Sequence, residues 1–228
     1  MIPLKDDIRS SHRPVINYLI IAATSAVWIL QFTSSRGNEF LFNRQLIEFG
    51  MVPANIVTGK KLWTLLSSMF MHGGWFHFLG NMLYLWIFGD NVEDAFGHLA
   101  YPLVYLVTGI CGSLLQIGTT IALGGRMDIP TIGASGAISG VMGAYFVLFP
   151  RARVLTLIPF FIFMRIVALP AGLLLGFWVL FQILYGCSAS VGAGGGVAYF
   201  AHVGGFAAGV VAGLMVKNRV RRPWYEIT

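Results

Sequence analysis

Charge is scarce in this chain. Asp, Glu, Lys and Arg make up 11% of its residues, against about 25% in a soluble domain, while 57% are hydrophobic and the mean hydropathy is +0.75. That composition excludes an ordinary soluble enzyme and places the chain in a bilayer. Acid is scarcer than base: none of Asp6, Asp7, Glu39, Glu48, Asp90, Glu93, Asp94, Asp128 and Glu226 falls inside a predicted hydrophobic span. An aspartyl intramembrane protease, which needs paired carboxylates at membrane depth, is thereby excluded, as are most carboxylate proton relays. No HExxH occurs, so a zinc metalloprotease helix is unsupported. The two cysteines, Cys111 and Cys187, have no paired spacing and read as small buried thiols rather than a disulfide or metal framework. No linker, second soluble module or removable signal segment is evident, so the chain reads as one domain. The formal charge of +6 fits basic loops on one membrane face and contact with anionic lipid, not nucleic acid.

What is present is a series of apolar runs. Measured against the ~17 to 25 residues that cross hydrocarbon, six are predicted helices: Val15 to Phe32, Gly74 to Gly89, Ala100 to Leu123, Ile132 to Phe149, Ile166 to Tyr185 and Ala198 to Val216. The apolar stretch Val154 to Met164 is expected to be interfacial or re-entrant. With the N-terminus inside, ten basic residues (Lys5, Arg9, Arg13, Arg151, Arg153, Arg165, Lys217, Arg219, Arg221 and Arg222) lie on the inner side. Five (Arg36, Arg44, Lys60, Lys61 and Arg126) lie on the outer side. This bias predicts both termini inside.

Polar groups at membrane depth usually mark function. Here they are Ser135 in Gly133-Ala134-Ser135-Gly136, His202 in Ala201-His202-Val203-Gly204-Gly205, and the group His72, His77 and Asn81. His77 and Asn81 are four apart and share one helix face. Ser135 precedes Arg151 by 16 residues and His202 precedes Lys217 by 15, so helical rise puts both roughly 23 Å above the inner boundary, and His77 roughly 20 Å. A serine hydroxyl becomes nucleophilic when a neutral histidine takes its proton. His77, Asn81 and the Ser135 amide are then candidate donors to the oxyanion. With no acid in the spans, a Ser135–His202 dyad is expected. Taken alone, GxSG is ordinary helix packing and a lone histidine an ordinary structural group; their shared depth favours chemistry. Ala201, Gly205, Gly209 and Gly213 recur every fourth residue, and Gly136, Gly140 and Gly143 bare the fourth span. Close contact of these two helices is expected to bring Ser135 to His202.

These residues resemble the rhomboid family, specifically its compact six-span prokaryotic members. The likeness rests on HGGWFHFLGN (72–81), GASG (133–136) and AHVGGFAAG (201–209). It implies an all-α, six-transmembrane-helix bundle comprising one domain over 1–228, with cytoplasmic segments 1–14 and 217–228 in a prokaryotic cytoplasmic membrane. It implies an intramembrane serine endopeptidase acting on transmembrane protein substrates through an acyl-enzyme, without metal or organic cofactor. Ser135 is the implied nucleophile, His202 the base, His77 and Asn81 the oxyanion-side donors, and His72 a structural histidine. Gly133, Gly136, Gly205 and Gly209 are structural near the site. Residues 31–71 are implied to form a partly embedded loop, with the fifth helix as gate and residues 187–197 as cap.

Two positions depart from the family pattern. Trp63 is followed by Thr64 where many rhomboids have arginine, and Ser139 stands where an aromatic often stacks on the histidine. Orientation of the imidazole must come from other neighbours. The competing readings are a proteolytically silent rhomboid-like binding protein and a transporter. The first typically lacks the serine or histidine present here, and the second lacks support in any evident repeat or intramembrane acid.

Overall fold

The computed structural model describes residues 2–160, 163–189 and 196–218. The chain is mostly helical. Its helices are α1 (Val15–Ser35), α2 (Glu39–Phe49), α3 (Pro53–Val57), α4 (Thr64–Ser67), α5 (Trp75–Phe96), α6 (Ala100–Ala122), α7 (Ser135–Leu148), α8 (Ala171–Ala189) and α9 (Tyr199–Val216). Strands β1 (Ile2–Asp6), β2 (Arg153–Phe160) and β3 (Phe163–Pro170) form one antiparallel sheet in the order β1-β2-β3. Among the described residues, α1, α6, α8 and α9 are long and apolar enough to cross a membrane. This is a multi-pass membrane protein. Its outward surface agrees: Leu19, Leu30, Leu103, Phe177, Val211 and Met215 face away from the protein, as a surface solvated by lipid requires.

The sheet is the main departure from an all-helical reading. Apolarity alone gave 154–164 no secondary structure of its own and began the fifth span at Ile166. Instead Val154 and Thr156 are buried while Leu155 is 41% exposed, the period of two that marks a strand, and α8 starts only after Pro170. A continuous apolar run does not distinguish these states. The N-terminal segment is drawn in as well, because β1 supplies the edge that pairs with β2. Cys111 is half-buried and Cys187 is exposed, so the expectation of two buried thiols fails for the latter.

The other end of the prediction also shifts. α5 runs on past Gly89 to Phe96, so Asp90, Glu93 and Asp94 lie within its last two turns. Burying Glu93 is costly unless it is paired, and its carboxylate accepts from the amides of Ile16 (3.0 Å) and Asn17 (2.7 Å) and from His98 Nδ1 (2.5 Å). It thus satisfies the free donors at the start of α1. Asn17 in turn donates to Leu85 O and accepts from Tyr101 Oη. Gly89 faces Asn17 directly, and a Cβ there would overlap the Asn17 side chain.

α7 sits at the centre. Eleven of its 14 residues are buried, which is what a helix apolar on every face demands. Against it pack α5, where the Phe88 and Tyr145 rings meet edge to face at 4.9 Å, and α6 and α9. The α7–α9 seam is made by glycine. A Cβ added to Gly205, Gly209 or Gly143 would overlap the backbone of Gly136, Gly140 or Phe206 respectively, so only bare positions permit this approach.

Candidate active site

Three helices, α5, α7 and α9, begin at one end of the bundle and carry the polar residues near their first turns. Ser135 is the first residue of α7, reached through a loop held down by Gly133 N–H donating to Ser68 O (2.9 Å) and by paired bonds between Met51 and Thr131. No side chain caps α7, so the first-turn amides beside the Ser135 hydroxyl are free donors, the arrangement that receives anions. His202 lies in the first turn of α9, where Gln116 Oε1 accepts from the Ala201 amide (3.2 Å).

The glycine seam brings the two together: Ser135 Oγ is 2.8 Å from His202 Nε2. The opposite ring nitrogen, Nδ1, donates to Gln182 Oε1 at 2.8 Å. Since a carboxamide oxygen only accepts, this bond keeps the proton on Nδ1 and leaves Nε2 with a lone pair for the serine proton. Trp178, one turn before Gln182 on α8, packs its ring against the imidazole with centroids 5.7 Å apart.

His77 projects from α5 toward Ser135. Gly73 N–H donates to its Nδ1 (3.4 Å), so Nε2 carries the proton and is free to donate. A Cβ built on Gly133, whose φ is +113°, would come within 2.6 Å of that Nε2 and 3.6 Å of Ser135 Oγ. Gly133 is therefore required both by its backbone conformation and by the nearness of His77. Ser68, Gly73, His77, Gly133, Ser135 and His202 line part of a cleft of about 600 Å³. Asn81 is not part of that wall. It sits one turn deeper on α5, 7% exposed, and its Nδ2 is unpartnered among the described residues.

His72 is fully buried and ties the segment before α5 to α1. Gln31 brackets its backbone, donating to His72 O (2.8 Å) and accepting from His72 N–H (3.1 Å). Its ring meets those of Trp28, His77 and Phe78 edge-on. Gly136 differs from its neighbours in the seam, since a Cβ there would make only ordinary contact, 3.7 Å from Ala201 O. Gly205 and Gly209 leave no such room.

Both departures have structural consequences. Ser139 Oγ donates back to Ser135 O (2.5 Å) within α7, and the imidazole face is covered from α8 by Trp178 instead. Thr64 Oγ1 donates to Lys61 O (2.8 Å), while Trp63 packs on Phe49. The loop expected over 31–71 begins later, because Gln31 to Ser35 continue α1; the rest folds into the short helices α2 to α4 and a 3-10 turn, Ser68–Phe70. Most of the glycine run at 192–196 lies outside the described residues, so the cap reading falls there too. Gln182 and Trp178 escaped the sequence reading because the inventory of spans weighed serine, histidine, asparagine and charge. Their signal was available, since a glutamine inside an apolar run four residues after a tryptophan puts both on one helix face.

The Rhomboid domain family model matches residues 59–219. The chain belongs to the rhomboid family. It is similar to RHOMBOID-like protein 4 of Arabidopsis thaliana, 33% identical over 182 residues, covering 77% of this chain and 39% of that one. Rhomboid protein 1, mitochondrial, of Saccharomyces cerevisiae is 30% identical over 181 residues, covering 78% and 48%. Rhomboid protease GluP of Bacillus subtilis is 33% identical over 133 residues, covering 58% and 24%. The chain thus spans less than half the length of each of these three relatives.

Proposed function

We propose that this rhomboid is an intramembrane serine endopeptidase that cleaves transmembrane segments of membrane-protein substrates through Ser135 and His202. The observation that carries the reading is the 2.8 Å bond between Ser135 Oγ and His202 Nε2 at the wall of a cleft. In the forward step Oγ bonds to the scissile carbonyl carbon as its proton passes to Nε2. The oxyanion is received by His77 Nε2–H and the amides opening α7, with Asn81 Nδ2 as a deeper donor. The C–N bond then breaks, Nε2 returns its proton to the departing amine, and an acyl-enzyme remains on Ser135. Water, deprotonated by His202, releases it.

The architecture we assign is one domain of six spans, formed by α1, α5, α6, α7, α8 and α9, with both termini in the cytoplasm of a prokaryotic cell. α7, at 14 residues, rises only about 21 Å against ~30 Å of hydrocarbon. Ser135 at its start then lies below the membrane surface, where water must reach it. A substrate helix must unwind locally, because its carbonyls are otherwise engaged in its own hydrogen bonds. The test is labelling with a fluorophosphonate. Native protein is expected to label, and Ser135→Ala and His202→Ala are not; equal labelling of Ser135→Ala and native protein would overturn the assignment.

A further inference from the structure

The Ser135–His202 pair has a third partner that neither the motifs nor the two reacting helices supply. We propose that Gln182 on α8 is a positioning residue that holds the His202 imidazole in the tautomer and orientation needed to accept the Ser135 proton. The inference rests on the dyad reading above and adds a residue that acts through it.

Three observations carry it. Gln182 Oε1 and Ser135 Oγ lie at opposite nitrogens of one ring, each at 2.8 Å, so the imidazole is held along its full length. An oxygen acceptor at Nδ1 requires the proton there, which excludes the tautomer that would point an N–H at the serine. Trp178 fixes the ring plane from the same helix face, with 35° between the two ring planes, while Ser139 is turned into its own helix and offers no ring contact. Orientation by a neutral amide suits this site. A carboxylate at this half-buried position would pay a partial desolvation cost that glutamine avoids, and the imidazolium formed during reaction still finds an acceptor at Nδ1. α8 therefore contributes to chemistry without touching the substrate carbonyl, and its packing against α9 sets how well the base is aimed.

The experiment uses the full chain and a fluorophosphonate, reading two quantities. The labelled fraction at completion counts folded sites; the rate constant reports activation of the serine. Gln182→Met, similar in size but without the acceptor, is expected to label to the native extent with a rate constant about 10- to 100-fold lower, less than the loss seen when a buried carboxylate partner is replaced. Gln182→Glu restores the acceptor and is expected to recover most of the rate. Its acid limb should move to higher pH, because a carboxylate at Nδ1 favours the imidazolium. A native rate constant in Gln182→Met overturns the proposal. So do equal slowing of both variants and an unshifted acid limb in Gln182→Glu, which mark a packing role and decide the matter even if Gln182→Met fails to fold. Ser135→Ala run in parallel separates the readings: if it labels like the native chain, the dyad itself falls and Gln182 has no base to position.

Discussion

Replacing Gly209 by alanine tests the idea that glycine spacing sets the distance between Ser135 and His202. An ideal Cβ at Gly209 overlaps Gly140 O and lies 2.6 Å from the carbonyl carbon of Gly140 and 2.7 Å from its Cα. These are backbone atoms, so no side chain can swing away. Relieving the carbon contact alone to 3.4 Å, where ordinary packing begins, requires about 0.8 Å of separation between α7 and α9, and the nearer Gly140 O requires more, so this is a lower bound. Carried to the site, that shift lengthens the Ser135–His202 bond from 2.8 Å to about 3.6 Å, which is no longer a hydrogen bond. Overpacking of this kind costs about 1 to 3 kcal/mol, and a misplacement near 1 Å costs roughly 100-fold in rate. Fluorophosphonate labelling and thermal unfolding in the same detergent are the assays, with Gly136→Ala as the stability control because its Cβ meets Ala201 O at 3.7 Å. A Gly209→Ala protein that melts and labels like the native chain would refute the argument.

Two further outcomes are expected. Asn81→Ala should lower turnover of a fluorogenic peptide by about 10- to 1000-fold, as for other lost oxyanion donors, with unchanged melting because its Nδ2 leaves no bonded partner behind; unchanged turnover would make Asn81 structural. At the far end of the bundle, burial raises the Asp6 carboxyl to about 6, against an opposing hydrogen bond from Tyr145. The folded state therefore binds this proton more tightly than the unfolded chain, and stability is lost as pH rises from about 4 to about 6, by on the order of 2 to 3 kcal/mol. Asp6→Asn should make the dependence across that window shallower in pH-dependent unfolding, and a dependence identical to the native chain would dismiss the burial argument.

The sheet shows where reading from sequence loses its grip. Residues 153–170 are as apolar as a span, and nothing local says that β1, almost 150 residues earlier, will pair with Leu155 and Thr156. Acidic residues misled in a similar way. Asp90 and Glu93 look like the polar end of a loop, yet Glu93 is buried inside α5 because it caps the distant start of α1. Asn81 was expected beside His77 and does share its helix face, but only His77 reaches the cleft wall.

By itself the sequence determined that the chain lives in lipid, roughly where its long helices run, and that Ser135, His202 and His77 lie near one level in them. Scarcity of charge, run length and helical period are local properties that need no partner. The glycine spacing on α7 and α9 even announced a close approach, because a missing Cβ is legible without coordinates. Only the tertiary structure decided which side chains meet across helices. It set the 2.8 Å separations on either side of His202, placed Gln182 and Trp178 behind the imidazole, and returned the N-terminus to a sheet. Those contacts join residues far apart in the chain, and their geometry comes from packing all the helices at once.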